Sequence, residues 1–224
     1  MKKLRDTLSL CPQCHRIVPA EVVEEANAIW LVKHCPEHGE QKEIYWKDAE
    51  YYHFASKFFV EGRGVENANV KSSLLPCPFN CGLCSRHRSH TALANLVVTN
   101  RCNLRCWYCF FYSERAGYVY EPSLEQIEQM LRLLREQRPV RCNAIQLTGG
   151  EPLLRDDIVE IIKLCKRLGF DHVQVNTNGI ELARNPELAK EIRSAGTNTL
   201  YLSFDGVTEK TLSLIHISEP TRPR

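Results

Sequence analysis

The stretch LANLVVTNRCNLRCWYC, residues 93–109, decides how the rest of the chain is read. Its first half is a short apolar run of the kind that makes a buried strand. Its second half places Cys102, Cys106 and Cys109 at C-x3-C-x2-C spacing just past the strand's end. Cysteines two to four residues apart are poorly spaced for stapling a fold, but they are well placed to face one metal centre.

The same alternation of strand and helix continues towards the C-terminus. Ser123 is placed to cap a helix with Gln126 as its capping-box partner, and Leu124, Ile127, Leu131 and Leu134 form an apolar stripe until Pro139 ends the segment. A second strand, AIQLT, runs into Gly149-Gly150. A second helix puts Ile158, Ile161, Ile162, Cys165 and Leu168 on one face and stops at Gly169. The strand HVQVN leads to Thr177-Asn178-Gly179. Asn185 then precedes Pro186 as the cap of a third helix, which ends near Gly196, and TLYLSF leads to Asp205-Gly206.

This βαβαβαβ order predicts a parallel sheet with crossover helices, an α/β fold. In barrels of this kind chemistry gathers at the carboxyl ends of the strands. The Cys102 group, Gly149–Glu151, Asn178 and Asp205 each follow a strand. Four strands do not close a barrel, so residues 93–211 read as half of one. Residues 212–224, LSLIHISEPTRPR, resemble translated adapter read-through and are set aside as a non-native tail.

Towards the N-terminus the chain is organised around cysteine. Of its 11 cysteines, two more groups precede residue 93. Cys11-Pro-Gln-Cys14 followed by Cys35-Pro-Glu-His38 is a pair of knuckles suited to tetrahedral zinc or a rubredoxin-like iron. That site is expected to fold a module over residues 1–70 that is too small to be held by its core alone. Cys77, Cys81 and Cys84 repeat the C-x3-C-x2-C spacing in the polar segment 71–92. They read as ligands of an auxiliary [4Fe-4S] cluster or of zinc, with His87, His90, Cys142 or a residue of the missing half of the barrel as candidate fourth ligand. Cys165 falls on a buried stripe, where it serves as a small hydrophobe.

Composition excludes some classes. The 29 basic and 27 acidic residues nearly balance, so nothing points to nucleic acid. No apolar run reaches the roughly 18 residues of a membrane span, and the start MKKLRDTLSL is too short a match for a secretion signal. The chain reads as cytoplasmic.

Three thiolates on one loop leave one corner of a cubane open, and an open position is what lets a metal site act on a ligand. A zinc knuckle or an electron-transfer cluster is the bland alternative. The cluster loop follows a strand, Tyr108 precedes its last cysteine, and a second strand delivers Gly149-Gly150-Glu151-Pro152 forty residues on. In these features the chain resembles the radical S-adenosylmethionine (SAM) superfamily. The resemblance implies a (β/α)6 barrel, here its N-terminal half. It also implies a [4Fe-4S] cluster on Cys102, Cys106 and Cys109 that cleaves SAM reductively to a 5′-deoxyadenosyl radical. Tyr108 would lie by the adenine, and Gly149, Gly150 and Glu151 would receive the methionyl amino group. Asn178, Ser203 and Asp205 are candidates for ribose or carboxylate contacts, or equally for stabilising turns.

The ordered segments CPQC, CPEHGE, CPFNCGLC, TNRCNLRCWYCFFY, YEPSLEQI, QLTGGEPLLRDD, HVQVNTNGI and LYLSFDGVT narrow the resemblance. Together they are similar to archaeal tetraether lipid synthases, earlier described as pterin dimethyltransferases of methanopterin biosynthesis. One departure is Ala92, where relatives often carry cysteine after the His-Thr pair. The resemblance implies a low-potential electron donor and one of two substrates. Carbon–carbon coupling of isoprenoid lipid chains is the favoured expectation, with peripheral membrane contact, and methylation of a pterin precursor is the alternative. A non-catalytic iron–sulfur or electron-transfer module is the reading from another class. A lipid enzyme calls for an apolar channel, and a pterin enzyme for a polar pocket with paired hydrogen-bonding groups.

Overall fold

The computed structural model describes residues 1–67, 83–84, 87–113, 116–203 and 206–208. The chain forms two compact units, with residues 1–62 in the first, and residues 63–67 and those from 89 onwards in the second. The segment 63–67 therefore leaves the N-terminal module: the Glu66 N–H donates to the Arg138 carbonyl, and the Asn67 side chain bridges Glu136 and Arg138.

The first unit is an antiparallel meander of β1 (Lys2–Leu10), β2 (Ile17–Glu25), β3 (Ala28–Cys35) and β4 (Gly39–Trp46), followed by helix α1 (Ala49–Ser56). The β2–β3 turn is two residues, Ala26 and Asn27, both at positive φ, which matches the twist of a tight hairpin. In a meander alternate turns fall at the same end. The β1–β2 and β3–β4 turns, which carry the two knuckles, are therefore neighbours. The unit's core is thin: one cluster of Val22, Ile29 and Ala49, and another of Cys11, Val18 and Cys35.

The second unit is a parallel sheet in sequential order: β5 (Leu93–Thr99), β6 (Ala144–Gly149), β7 (His172–Thr177) and β8 (Thr199–Leu202). Helices α2 (Leu124–Arg135), α3 (Ile158–Arg167), α4 (Ile180–Arg184) and α5 (Pro186–Ala195) lie between the strands in the chain. The expected elements are present. Ser123 and Gln126 form the reciprocal capping box on α2, and Gly169 and Gly196 take left-handed φ after α3 and α5.

Two details differ. The five-residue α4 is additional to the expected helices, and Asn185 is both its C-cap and the N-cap of α5, with no side-chain capping bond. Asp157, at the start of α3, makes no capping bond either, because Arg155 takes both of its carboxylate oxygens, each at 2.7 Å.

Alternation along the strands separates the sheet's two faces. Leu96, Val98, Ile145, Leu147, Val173 and Val175 join Ile127, Leu131, Ile161, Ile162 and Ile192 in the core. The other face carries Asn95, Gln146, Gln174 and Thr199, paired across the strands in one register row.

Candidate active site

The loop after β5 is pinned on several sides. Asn100 is buried; its amide oxygen accepts from the Tyr120 N–H at 2.8 Å, and its amide nitrogen donates to the Tyr118 carbonyl at 2.8 Å. Thr99 and Arg101 both donate to Glu121, the arginine through two nitrogens at 2.8 and 3.1 Å. Burial opposes the Glu121 charge, but donors from Arg101 and Thr99 prevail and hold its pKa below the usual value. Asn103 joins Asn178 at 2.7 Å and Glu181 at 3.0 Å, tying the loop to the end of β7. Arg155 is buried and donates to the carbonyls of Val98 and Pro122, each at 2.8 Å. Sequence reading passed over Asn100, Asn103, Glu121 and Arg155. The only hint was polar residues flanking the motifs, and their partners are far away in sequence.

Gly149 and Gly150 close the same joint. A Cβ on Gly149 would lie 2.0 Å from the Thr99 carbonyl oxygen, and one on Gly150 would lie 2.2 Å from that of Arg101. The Gly150 and Glu151 N–H groups donate to those two carbonyls at 2.8 and 2.7 Å. The close approach that these glycines allow is thus, on one side, to the chain's own backbone rather than to a ligand.

Cys102, Cys106, Tyr108, Cys109, Gly149 and Gly150 line one cavity of about 630 Å³, together with Asn178 and Ser203. Glu151 does not line it. Its side chain is fully buried, one oxygen accepting from the Leu153 N–H at 3.0 Å and the other from the Asn178 N–H at 2.7 Å. Burial outweighs these donors and raises its pKa. Asn178 forms a turn through its amide oxygen, which accepts from the Ile180 N–H at 3.0 Å. Ser203 donates to Asn176 at 3.1 Å. Asp205 lies outside the described residues.

The donor set fits an iron–sulfur cluster. Three half-buried thiols from one loop open onto a cavity, and burial pushes the Cys102 thiol up to about 11. Such a thiol is a poor nucleophile by itself and becomes thiolate when a metal displaces its proton.

The first unit holds a second, tighter donor set. The ligand atoms of Cys11, Cys14, Cys35 and His38 all lie within 4.8 Å of one another. The Cys14 and Cys35 sulfurs are 3.8 Å apart, and His38 Nδ1 stands 3.6 Å from the Cys11 sulfur and 3.4 Å from that of Cys35. Tetrahedral zinc with bonds of about 2.3 Å to sulfur and about 2.0 Å to nitrogen has edges of roughly 3.8 and 3.5 Å. The edges match. The Cys14 backbone N–H is the main influence lowering the Cys11 pKa to about 6, so this ligand is readied for metal.

In the auxiliary segment, Cys77 and Cys81 lie outside the described residues. The Cys84 sulfur is 3.5 Å from His87 Nδ1. Cys142, considered above as a further ligand, is instead buried in the core of the second unit, its thiol against the Ala144 carbonyl at 3.2 Å. Cys165 is buried as expected.

A parallel sheet with three cysteines on the loop after its first strand and a double-glycine joint after its second defines a SAM-radical type of site. The comparisons agree. Residues 96–223 match the model of the Radical SAM superfamily, and the chain belongs to that family. Residues 3–47 match the HMPTM N-terminal zinc ribbon domain.

Among curated proteins, the chain is 49% identical over 92% of its length to 7,8-dihydro-6-hydroxymethylpterin dimethyltransferase of Methanocaldococcus jannaschii, covering 40% of that protein. It is 34% identical over 58% of its length to GTP 3′,8-cyclase of Clostridium acetobutylicum, again covering 40%. The chain thus spans about two fifths of the length of these relatives. A crystal structure of methylornithine synthase matches 58% of this chain and 38% of its own, at 18% identity and a TM-score of 0.43.

Proposed function

We propose that the protein of which this chain forms part is a radical SAM methyltransferase acting on a pterin precursor. The observation that carries the reading is the set of amide and hydroxyl side chains, Asn95, Gln146, Thr148 and Asn176, on the sheet face beneath the three thiols, in a cavity whose other walls include Val97, Leu104, Phe110, Phe111, Tyr201 and Leu202. A saturated lipid chain lying on that face would leave its amides unpaired. The relative that matches along 92% of the chain, zinc ribbon included, is named as a pterin dimethyltransferase, which supports this alternative over the lipid expectation. No described helix is long and apolar enough to cross a membrane.

Cys102, Cys106 and Cys109 would hold a [4Fe-4S] cluster. With SAM bound and an electron from a low-potential donor, such a cluster would supply reductive cleavage of the sulfonium to methionine and a 5′-deoxyadenosyl radical. The chain's own residues position this chemistry. The Asn100, Arg101 and Asn103 contacts keep the loop from moving as the site fills. Gly149 and Gly150 leave room on their cavity side for the amino-acid end of SAM. Tyr108 offers a ring for the adenine, and Asn178 and Ser203, with Asp205, offer polar contacts to the ribose. Glu151 acts here behind the wall, by holding the Asn178 backbone. Cys11, Cys14, Cys35 and His38 would hold a structural zinc or iron, and Cys77, Cys81 and Cys84, with His87 as fourth ligand, an auxiliary cluster.

The test uses the longest reading frame containing this chain, reconstituted anaerobically with iron and sulfide. It is expected to form 5′-deoxyadenosine and to add methyl groups to 7,8-dihydro-6-hydroxymethylpterin, read by mass. Replacing Cys102, Cys106 and Cys109 together by alanine is expected to abolish both. Retained SAM cleavage in that triple variant would overturn the cluster assignment. Lipid coupling without pterin methylation would overturn the substrate.

A further inference from the structure

The sheet face beneath the thiols is unusual for a barrel interior, where bulky branched side chains ordinarily fill the space. Here Asn95, Gln146 and Gln174 stand in one register row across β5, β6 and β7. Thr148, Asn176 and Ser203 form a second polar line nearer the thiols, joined by hydrogen bonds of 3.2 and 3.1 Å. The second line is satisfied within itself. The first is not.

The Gln174 amide nitrogen donates to the Gln146 amide oxygen, which fixes the Gln146 side chain and leaves its own amide nitrogen to face other partners. Among the described residues no hydrogen bond engages the Asn95 side chain, and Asn95 and Gln146 both line the cavity. An amide presents two donors and an acceptor in one plane, and neighbouring strands space such groups about 4.8 Å apart. A flat fused heterocycle carries donors and acceptors along one edge at comparable spacing.

From this we infer that Asn95 and Gln146, with Gln174 as the residue that positions Gln146, read the hydrogen-bonding edge of the substrate heterocycle. The inference rests on the pterin reading and adds the residues that confer specificity. The row lies one register step further from the cluster loop than the Thr148 line. A ring lying on it would therefore sit below the thiols, on the side away from the loop. An apolar chain would leave both amides unpaired, a cost that selects against it.

The experiment measures equilibrium binding of 7,8-dihydro-6-hydroxymethylpterin, and separately of SAM, to the anaerobically reconstituted protein from the longest reading frame. Asn95→Leu and Gln146→Leu keep size and remove the hydrogen bonds. Each is expected to raise the pterin Kd roughly tenfold while the SAM Kd stays put. Gln174→Met is expected to raise the pterin Kd by less, because it acts only through Gln146. Asn95→Ser and Gln146→Ser, easily accommodated on a cavity floor, are expected to reproduce the loss should a leucine variant misfold. A wild-type protein that binds pterin, with Kd unchanged in both the leucine and serine variants, would overturn this inference alone. A wild-type protein that binds no pterin would overturn the substrate reading as well. A parallel rise in both Kd values would show that the row shapes the whole cavity rather than reading the heterocycle, and would also overturn it.

Discussion

The two units of this chain hold cysteine-based sites in opposite ways. In the ribbon, four donor atoms already lie within 4.8 Å of one another, while the apolar clusters around them involve only a few residues. In the sheet unit an extensive core joins three strands to three helices, and the three thiols sit outside it on a loop held by backbone and side-chain hydrogen bonds. In the first a metal would stabilise the fold; in the second the fold would present the cluster. A ligand set that is closed and partly buried suits a structural ion, whereas one that opens onto a cavity suits chemistry on a bound molecule.

Stripping metal from the ribbon would test this contrast most severely. Structural zinc supplies about 10–16 kcal/mol in zinc-finger peptides, far more than these small clusters can provide. Chelation, or Cys35→Ser, is expected to abolish amide-exchange protection in β1–β4 while leaving β5–β7 protected. Persistent protection of β1–β4 would break the contrast.

The converse perturbation is Ile161→Ala, at a fully buried position in the core of the sheet unit. It is expected to cost about 2–5 kcal/mol in urea unfolding of that unit, with the ribbon's metal-dependent absorption of a cobalt-substituted sample unchanged. Next comes Gly150→Ala, whose Cβ would strike the Arg101 carbonyl. A cost of about 1–3 kcal/mol is expected, with reduced retention of iron and sulfide after reconstitution, because the joint under the cluster loop must open. The smallest effect is expected from Ser123→Ala, which removes the α2 cap for about 1 kcal/mol without touching either metal site.

Much of the sheet unit was legible in the sequence because its signals are local. The Ser123–Gln126 box, the apolar stripes of α2 and α3 and the cysteine spacings each lie within a few residues, and the elements formed there. The purpose of the glycines was legible only in part. Two adjacent glycines announce a close approach, but Thr99 and Arg101, the groups approached, are some fifty residues away. Glu151 shows the same limit. Its place in a GGE segment suggested a carboxylate facing a ligand, whereas its oxygens are taken by Leu153 and Asn178. Cys142 looked available as a ligand until β6 and α2 closed over it.

By itself the sequence established which residues share an element and which chemistry their side chains bring, because helix caps, strand alternation and metal-ligand spacing are short-range properties of the chain. Tertiary structure decided which distant groups meet: that the knuckles converge at one end of a meander, that the double glycine grips the cluster loop, and that three amides on separate strands fall into one row. Those pairings depend on strand register and chain crossing, which no local stretch of residues encodes.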